Sequence, residues 1–119
     1  MLRVRAMPPA ARAHYDAGLS DARALVTGGR AGDAWPLLET AHILSQPWWR
    51  LHVRTHWQML GLALHTRDRR EIAGQLMRLM VAGPGSAMGR YPKGNTGCAD
   101  VPATKPMPVS DDLAALLAR

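Results

Sequence analysis

A chain of 119 residues, 47% hydrophobic and 20% charged, has the size and apolar content for one domain with a real core, which excludes a disordered chain. No apolar run approaches the ~20 residues that cross a membrane, and the single cysteine, Cys98, excludes an internal disulfide or a thiolate-rich zinc ribbon. The net charge of +6 comes mostly from arginines spread over every segment. Its densest cluster, Arg67-Asp68-Arg69-Arg70-Glu71, is diluted by acids, so neither a nucleic-acid nor a membrane partner is expected.

Residues 1–6 carry Arg3 and Arg5 but no following apolar stretch, so a secretory leader is not expected and the cytoplasm is the expected location. The first predicted helix runs from Pro9 or Ala10 to Val26, on the spacing of Tyr15, Leu19, Ala22, Leu25 and Val26, and Gly28-Gly29 stops it. Asp33 is the expected N-cap of a second helix over Ala34–Ser45, in which Pro36 falls in the first turn. Ser45-Gln46-Pro47-Trp48 reads as a turn, because the residue before a proline is pushed out of the helical region. A third helix follows from Trp48 or Trp49 to His65. A fourth, capped by Asp68, spans Arg69 to Met80 or Val81 with Ile72, Leu76, Leu79 and Met80 as its apolar stripe. Ala82-Gly83-Pro84-Gly85 is expected to end it. The remainder is irregular until a short helix over 110–118, with Ser110 as N-cap and Asp111 and Asp112 in its first turn.

No strand pattern is present, so the predicted fold is all-α: two antiparallel helical hairpins, an irregular C-terminal tail and a short last helix packed back. Ala24-Leu25-x-Thr27-x-x-Arg30 recurs as Ala63-Leu64-x-Thr66-x-x-Arg69, and Trp57-x-x-Leu60-Gly61-x-x-Leu64 with Ala73, Met77 and Met80 is tetratricopeptide-like. Two such hairpins are fewer than the roughly three that stand alone. Hence residues 83–119, with Met107, Val109, Leu113, Leu116 and Leu117, are expected to cover the body formed by residues 10–82 within a single domain of residues 1–119. Lys93-Gly94-Asn95-Thr96-Gly97 lacks the spacing of a phosphate-binding loop and reads as a structural turn, with Cys98 beside it as an inert thiol.

The chemistry concentrates at the hairpin around Pro47. Glu39-x-x-His42 precedes the turn and His52-x-x-x-His56 follows it, and residues three or four apart share a helix face. Antiparallel pairing about position 47 sets His42 opposite His52 and Glu39 opposite His56. On a wheel of about 100° per residue starting at Trp49, His52 and His56 fall at about 300° and about 340°. They lie inside an apolar arc that also takes in Met59, Ala63, Val53, Trp57, Leu60 and Leu64. Inward imidazoles need a hydrogen-bond partner or a metal. Three readings therefore stand side by side: a site for zinc, copper or nickel built from Glu39, His42, His52 and His56, a buried His/Glu hydrogen-bond network, or chance clustering without contact. The same arithmetic about position 29 brings Asp16, with His14 near it, toward His42 as outer members. His65 is too far along its helix to take part.

Ala41-His42-Ile43-Leu44-Ser45-Gln46, His52-x-x-x-His56-x-x-Met59-Leu60, Arg69-Arg70-Glu71, and Gly94-Asn95-Thr96-Gly97 through Pro106-Met107-Pro108 occur in an order that resembles domain-of-unknown-function family 3703. The resemblance spans about Ala10 to Ala118. It implies a small bacterial helical protein of undefined biochemistry whose relatives often neighbour metal-resistance genes, and it transfers no catalytic residue. The leading expectation is therefore a cytoplasmic divalent-metal-binding protein that buffers, senses or hands on its ion. The alternative is a tetratricopeptide-like interaction module without metal, binding a protein partner or a second copy of itself. With no nucleophile elbow, no nucleotide loop and few spare carboxylates, the sequence leans away from an enzyme.

Overall fold

The computed structural model describes residues 5–118, so the leader reading at residues 1–4 lies outside the described residues. Five α-helices follow one another: α1 (Pro9–Thr27), α2 (Trp35–Ser45), α3 (Trp49–Thr66), α4 (Arg69–Ala87) and α5 (Asp111–Leu117). No strand occurs among the described residues. α1 packs on α2 and α3 on α4 as two helical hairpins, and α2 packs on α3 to join them. None of the helices is long and apolar enough to cross a membrane.

The core lies between the hairpins. Tyr15, Leu19 and Ala22 of α1 meet Leu38, Ala41 and Leu44 of α2 and Met59 and Leu62 of α3. These positions repeat every three or four residues, so each helix buries one stripe. Burying a large apolar side chain is worth about 1.5–3 kcal/mol. Tyr15 is fully buried, and its hydroxyl donates to the Leu51 carbonyl at 3.0 Å, so the ring enters the core without an orphaned polar atom.

Two boundaries and two helix faces differ from expectation, each for a local reason. Asp33 does not cap α2. A 3₁₀ turn over Ala31–Ala34 leads into that helix, and Asp33 instead accepts from the Arg30 guanidinium. α4 does not stop at Ala82-Gly83-Pro84-Gly85 but runs to Ala87 with Pro84 inside it. Proline there frees the carbonyl of Met80, which belongs to a residue 79% exposed on the solvent side of the helix. The extra turn is held by Ser86, whose hydroxyl donates to the Gln46 carbonyl at 2.5 Å. Finally, the apolar stripe of α4 faces partly outward, with Ile72 and Leu79 half-buried and Leu76 and Met80 exposed. Leu76 and Met77 are about half exposed and Met80 more so, while the buried face is Glu71, Gln75, Arg78, Ala82, Gly83 and Ser86. α3 is rotated in the same sense: its buried residues are His52, Thr55, His56, Met59, Leu60, Leu62 and Ala63, centred roughly 60° behind the expected arc, which leaves Trp57 and Leu64 exposed.

Two caps are as expected. The Asp68 carboxylate accepts from the Glu71 N–H at the start of α4, and the Ser110 hydroxyl accepts from the Leu113 N–H at the start of α5. α5 packs back onto α1 through the half-buried Leu113, Leu116 and Leu117. The irregular stretch between α4 and α5 lies against the polar face of α4 and the ends of α2 and α3, where it meets the histidines.

Candidate metal centre

Three imidazoles converge where α2, α3, α4 and the tail meet. His42, near the end of α2, is 3% exposed, and His52 and His56, one turn apart on α3, are 5% and 2% exposed. Their Nε2 atoms form a small triangle: 2.9 Å from His42 to His52, 3.1 Å from His42 to His56, and 3.2 Å from His52 to His56. The ring centroids stand 4.7–4.9 Å apart.

The other ring nitrogens decide what that triangle is. His42 Nδ1 lies 2.6 Å from the Asn95 carbonyl, which only accepts, so this nitrogen carries the proton. His52 Nδ1 lies 2.6 Å from Ser86 Oγ, whose own hydrogen is committed to the Gln46 carbonyl, so again the imidazole donates. His56 Nδ1 lies 2.6 Å from Gln75 Oε1. The Gln75 amide orientation is fixed from its far side, where Nε2 donates to Glu71 Oε2 at 3.1 Å and to the Gly97 carbonyl at 2.8 Å. All three neutral imidazoles thus hold their proton on Nδ1 and aim the Nε2 lone pair at one point. Three lone pairs facing one another at 2.9–3.2 Å repel unless a cation lies among them. An ion about 2.0–2.1 Å from each nitrogen would subtend N–metal–N angles of roughly 90–105°, between octahedral and tetrahedral values.

Charge on the imidazoles is disfavoured. Burial first, then repulsion from His56 and His52, holds His42 well below the ordinary imidazole range. Burial and repulsion from His56 lower His52 to about 3. Burial lowers His56 to about 4, with the Gln75 hydrogen bond opposing and the Arg78 cation assisting. Neutral imidazole is the form that ligates metal.

The tail builds the support for His42. Gly97 adopts φ +83°, and a Cβ there would stand 2.6–2.9 Å from three atoms of the His42 ring, so only glycine allows the backbone this close. Asn95 is buried. Its Oδ1 accepts from the Gly97 N–H, and its Nδ2 donates to the Pro102 and Lys105 carbonyls, which fixes the carbonyl that orients His42. Gln46 ties the start of this loop to α2 by accepting from the Gly94 N–H and donating to the Pro92 carbonyl. The Gly94–Gly97 segment is thus a structural turn with a definite task.

Glu39 is not among the converging groups. His42 lies deeper by one helical turn, and the Glu39 carboxylate instead accepts from Cys98 Sγ at 3.3 Å. Burial and the adjacent Glu39 carboxylate keep the Cys98 thiol protonated, well above the usual thiol range. Cys98 also lies within 4.8 Å of carboxylate oxygens of Glu71 and Asp100, but the Glu71 oxygens already accept from Gln75 Nε2 and the Ala99 N–H. Asp16 sits on the exposed side of α1 between Arg12 and Arg54, and His14 is exposed as well. It is Tyr15 that points inward at this level, since antiparallel pairing fixes a residue's height along the hairpin but not its face. Sequence reasoning missed Gln75, Ser86 and Asn95. The trace it left was unusual polarity at helical spacing on α4, where Glu71, Gln75, Arg78, Ala82 and Ser86 form one stripe.

The family model described as a protein of unknown function, DUF3703, matches residues 9–117, nearly the whole chain. The chain belongs to this family. The match runs through both hairpins, the tail and α5, so the histidines and all three of their oriented partners fall inside it. Comparison with curated proteins and with solved structures gave no match.

Proposed function

We propose that this family member binds a divalent transition metal through Nε2 of His42, His52 and His56, and that it serves to buffer, sense or hand on the ion, in keeping with a role in metal resistance. One observation carries the reading: three neutral imidazoles, each held with its proton on Nδ1 by a separate acceptor, direct their lone pairs at a single point. Ligating histidines are oriented in this way by carbonyl, carboxylate and amide partners. Three imidazoles without thiolate suit Zn(II), Ni(II), Co(II) or Cu(II), with Cu(II) highest in affinity in vitro. Glu39 enters only as a reserve ligand, since reaching the ion would require its release from Cys98. Calorimetric titration of metal-stripped protein with Zn(II), Ni(II) and Cu(II) tests the proposal. His42→Ala, His52→Ala and His56→Ala should each abolish tight binding, and His65→Ala should preserve it. Equal weak binding by all of these proteins would rule the centre out.

A second reading, an interaction face, is favoured by the outward apolar surface of α3 and α4. Trp49, Trp57 and Leu64 border Leu76, Met77 and Met80 across the line where Gly83 of α4 abuts Val53 and Trp49 of α3. Their exposed parts sum to roughly 600–700 Å², above the few hundred Å² usual for a monomer and close to the ~800 Å² per partner of a standard interface. The occupant this supports is a second copy of the chain, because a mainly apolar face, with the Arg50 guanidinium over Trp49 at its edge, is complementary to itself across a two-fold axis. Light scattering after gel filtration should give a dimer mass that Trp57→Glu with Met80→Glu converts to monomer. A monomeric wild type at all concentrations excludes it.

A further inference from the structure

The histidines border a cavity of about 260 Å³ that is also lined by Arg78, Arg90 and Tyr91. Arg78 is an unusual neighbour for a cation site. It is 6% exposed, and its guanidinium donates to the Gly74 carbonyl at 3.2 Å and to the Val101 carbonyl at 2.8 Å. Among the described residues no carboxylate approaches it within 4.0 Å. Glu39 is engaged with Cys98 and Glu71 with Gln75 and Ala99, and Glu71 and the exposed Asp100 attract the guanidinium only from beyond ion-pair distance. A buried cation without a counter-ion is costly. A dication held by three neutral imidazoles adds two further charges to the same enclosure, and none of its protein ligands neutralises them. Moreover, N–metal–N angles of roughly 90–105° leave the ion displaced to one side of the nitrogen triangle, with coordination positions not taken by histidine.

We propose that this cavity takes a small oxyanion, one oxygen on the metal and another toward the Arg78 guanidinium, with Arg90 at the more exposed side adding attraction. The inference rests on the metal reading above. It assigns the remaining ligand to a carboxylate, bicarbonate or phosphate group supplied from solution rather than to a protein side chain. Guanidinium is the donor suited to this class, since its planar fork matches two oxygens of one anion.

Co(II) separates the two questions, because its visible spectrum reports both its presence and its ligands. Full-length protein loaded with Co(II) is titrated at constant ionic strength with bicarbonate, acetate, phosphate and, as control, chloride. The expected result is a saturable spectral change with at least one oxyanion, and the three arms tell a planar carboxylate or carbonate from a phosphate. Arg78→Lys should weaken that binding by about tenfold or more while Co(II) still binds, because a point charge replaces the fork. Arg90→Gln, at an exposed residue, should weaken it by a smaller factor and guards against a folding defect in the first variant. If no Co(II) spectrum forms, the metal reading itself fails. If Co(II) binds but no oxyanion perturbs it, or chloride acts equally, or neither arginine variant weakens the oxyanion, the metal reading stands and this inference is overturned.

Discussion

Replacing Gly97 by alanine tests whether the tail sets the position of His42. The new methyl would stand 2.6, 2.7 and 2.9 Å from Cδ2, Cγ and Nε2 of the ring, where carbon contacts are comfortable only at about 3.5–4.0 Å. The backbone there has φ +83°, which costs a residue with a side chain about 1–2 kcal/mol. Overpacking adds about 1–3 kcal/mol. Together these predict a loss of about 2–5 kcal/mol, and for a domain of this size each kcal/mol lowers Tm by roughly 3–5 °C. Gly29→Ala is the matched control. Its φ is +78° and nothing lies within 4 Å of its Cβ, so it carries the conformational cost alone. Thermal unfolding of both metal-free variants isolates the contact with the ring, and titration with Zn(II) reads its consequence. Gly97→Ala should lose about 10–100-fold in affinity, the usual cost of displacing an orienting partner. Gly29→Ala should lose none. Equal Tm values for the two variants, together with wild-type affinity in Gly97→Ala, would refute the account of the tail.

Gln75→Leu removes the acceptor for His56 Nδ1 and should weaken metal binding by about 10–100-fold, measured by competition with a chromophoric chelator. Because folding depresses the three imidazoles, with His52 at about 3 and His56 at about 4, the unfolded chain takes up more protons than the folded one below pH 6.5. Stability of the metal-free protein is therefore fully present above about pH 6.5 and is lost as pH falls toward 4, by up to about 1.4 kcal/mol per pH unit for each histidine that stays neutral. Urea midpoints that do not change between pH 7 and 5 would contradict neutral burial. Metal affinity should fall over the same interval, since protons compete for Nε2. Ending the chain at Pro108 removes α5 and the half-buried Leu113, Leu116 and Leu117, for a loss of about 1–3 kcal/mol after ordering entropy, with metal affinity retained. Loss of binding in that truncation would show that α5 reaches the centre.

The histidines were legible because helical spacing is a local property. His52 and His56 share a face by number alone, and Pro47 fixes where the chain turns, so the approach of His42 follows from counting. Glu39 was over-read for the same reason: a shared face does not place a side chain at a shared depth, and the buried thiol of Cys98 gave its carboxylate a closer partner. The faces of α3 and α4 were misassigned because apolar residues were expected to point inward. Here a polar network occupies the inner face of α4 and leaves Trp57, Leu76 and Met80 outside. The hydrogen bonds that compensate that polar interior come from residues 92–101, and no periodic signal announces a loop. The extension of α4 through Pro84 was hidden likewise, since what holds it is the long-range contact of Ser86 with Gln46 and His52.

The orienting partner of His42 lies 53 residues further along the chain, in a loop that must itself be closed by Pro102 and Lys105. During synthesis, α2 and α3 emerge with their three imidazoles long before Asn95 and Gly97 exist to lock them. A nascent chain of two hairpins thus carries the three imidazoles but not the contacts that orient them. On the proposed metal reading, tight binding would wait for closure of the loop from Pro92 to Lys105, so a chain clipped within that loop would lose its hold on the ion.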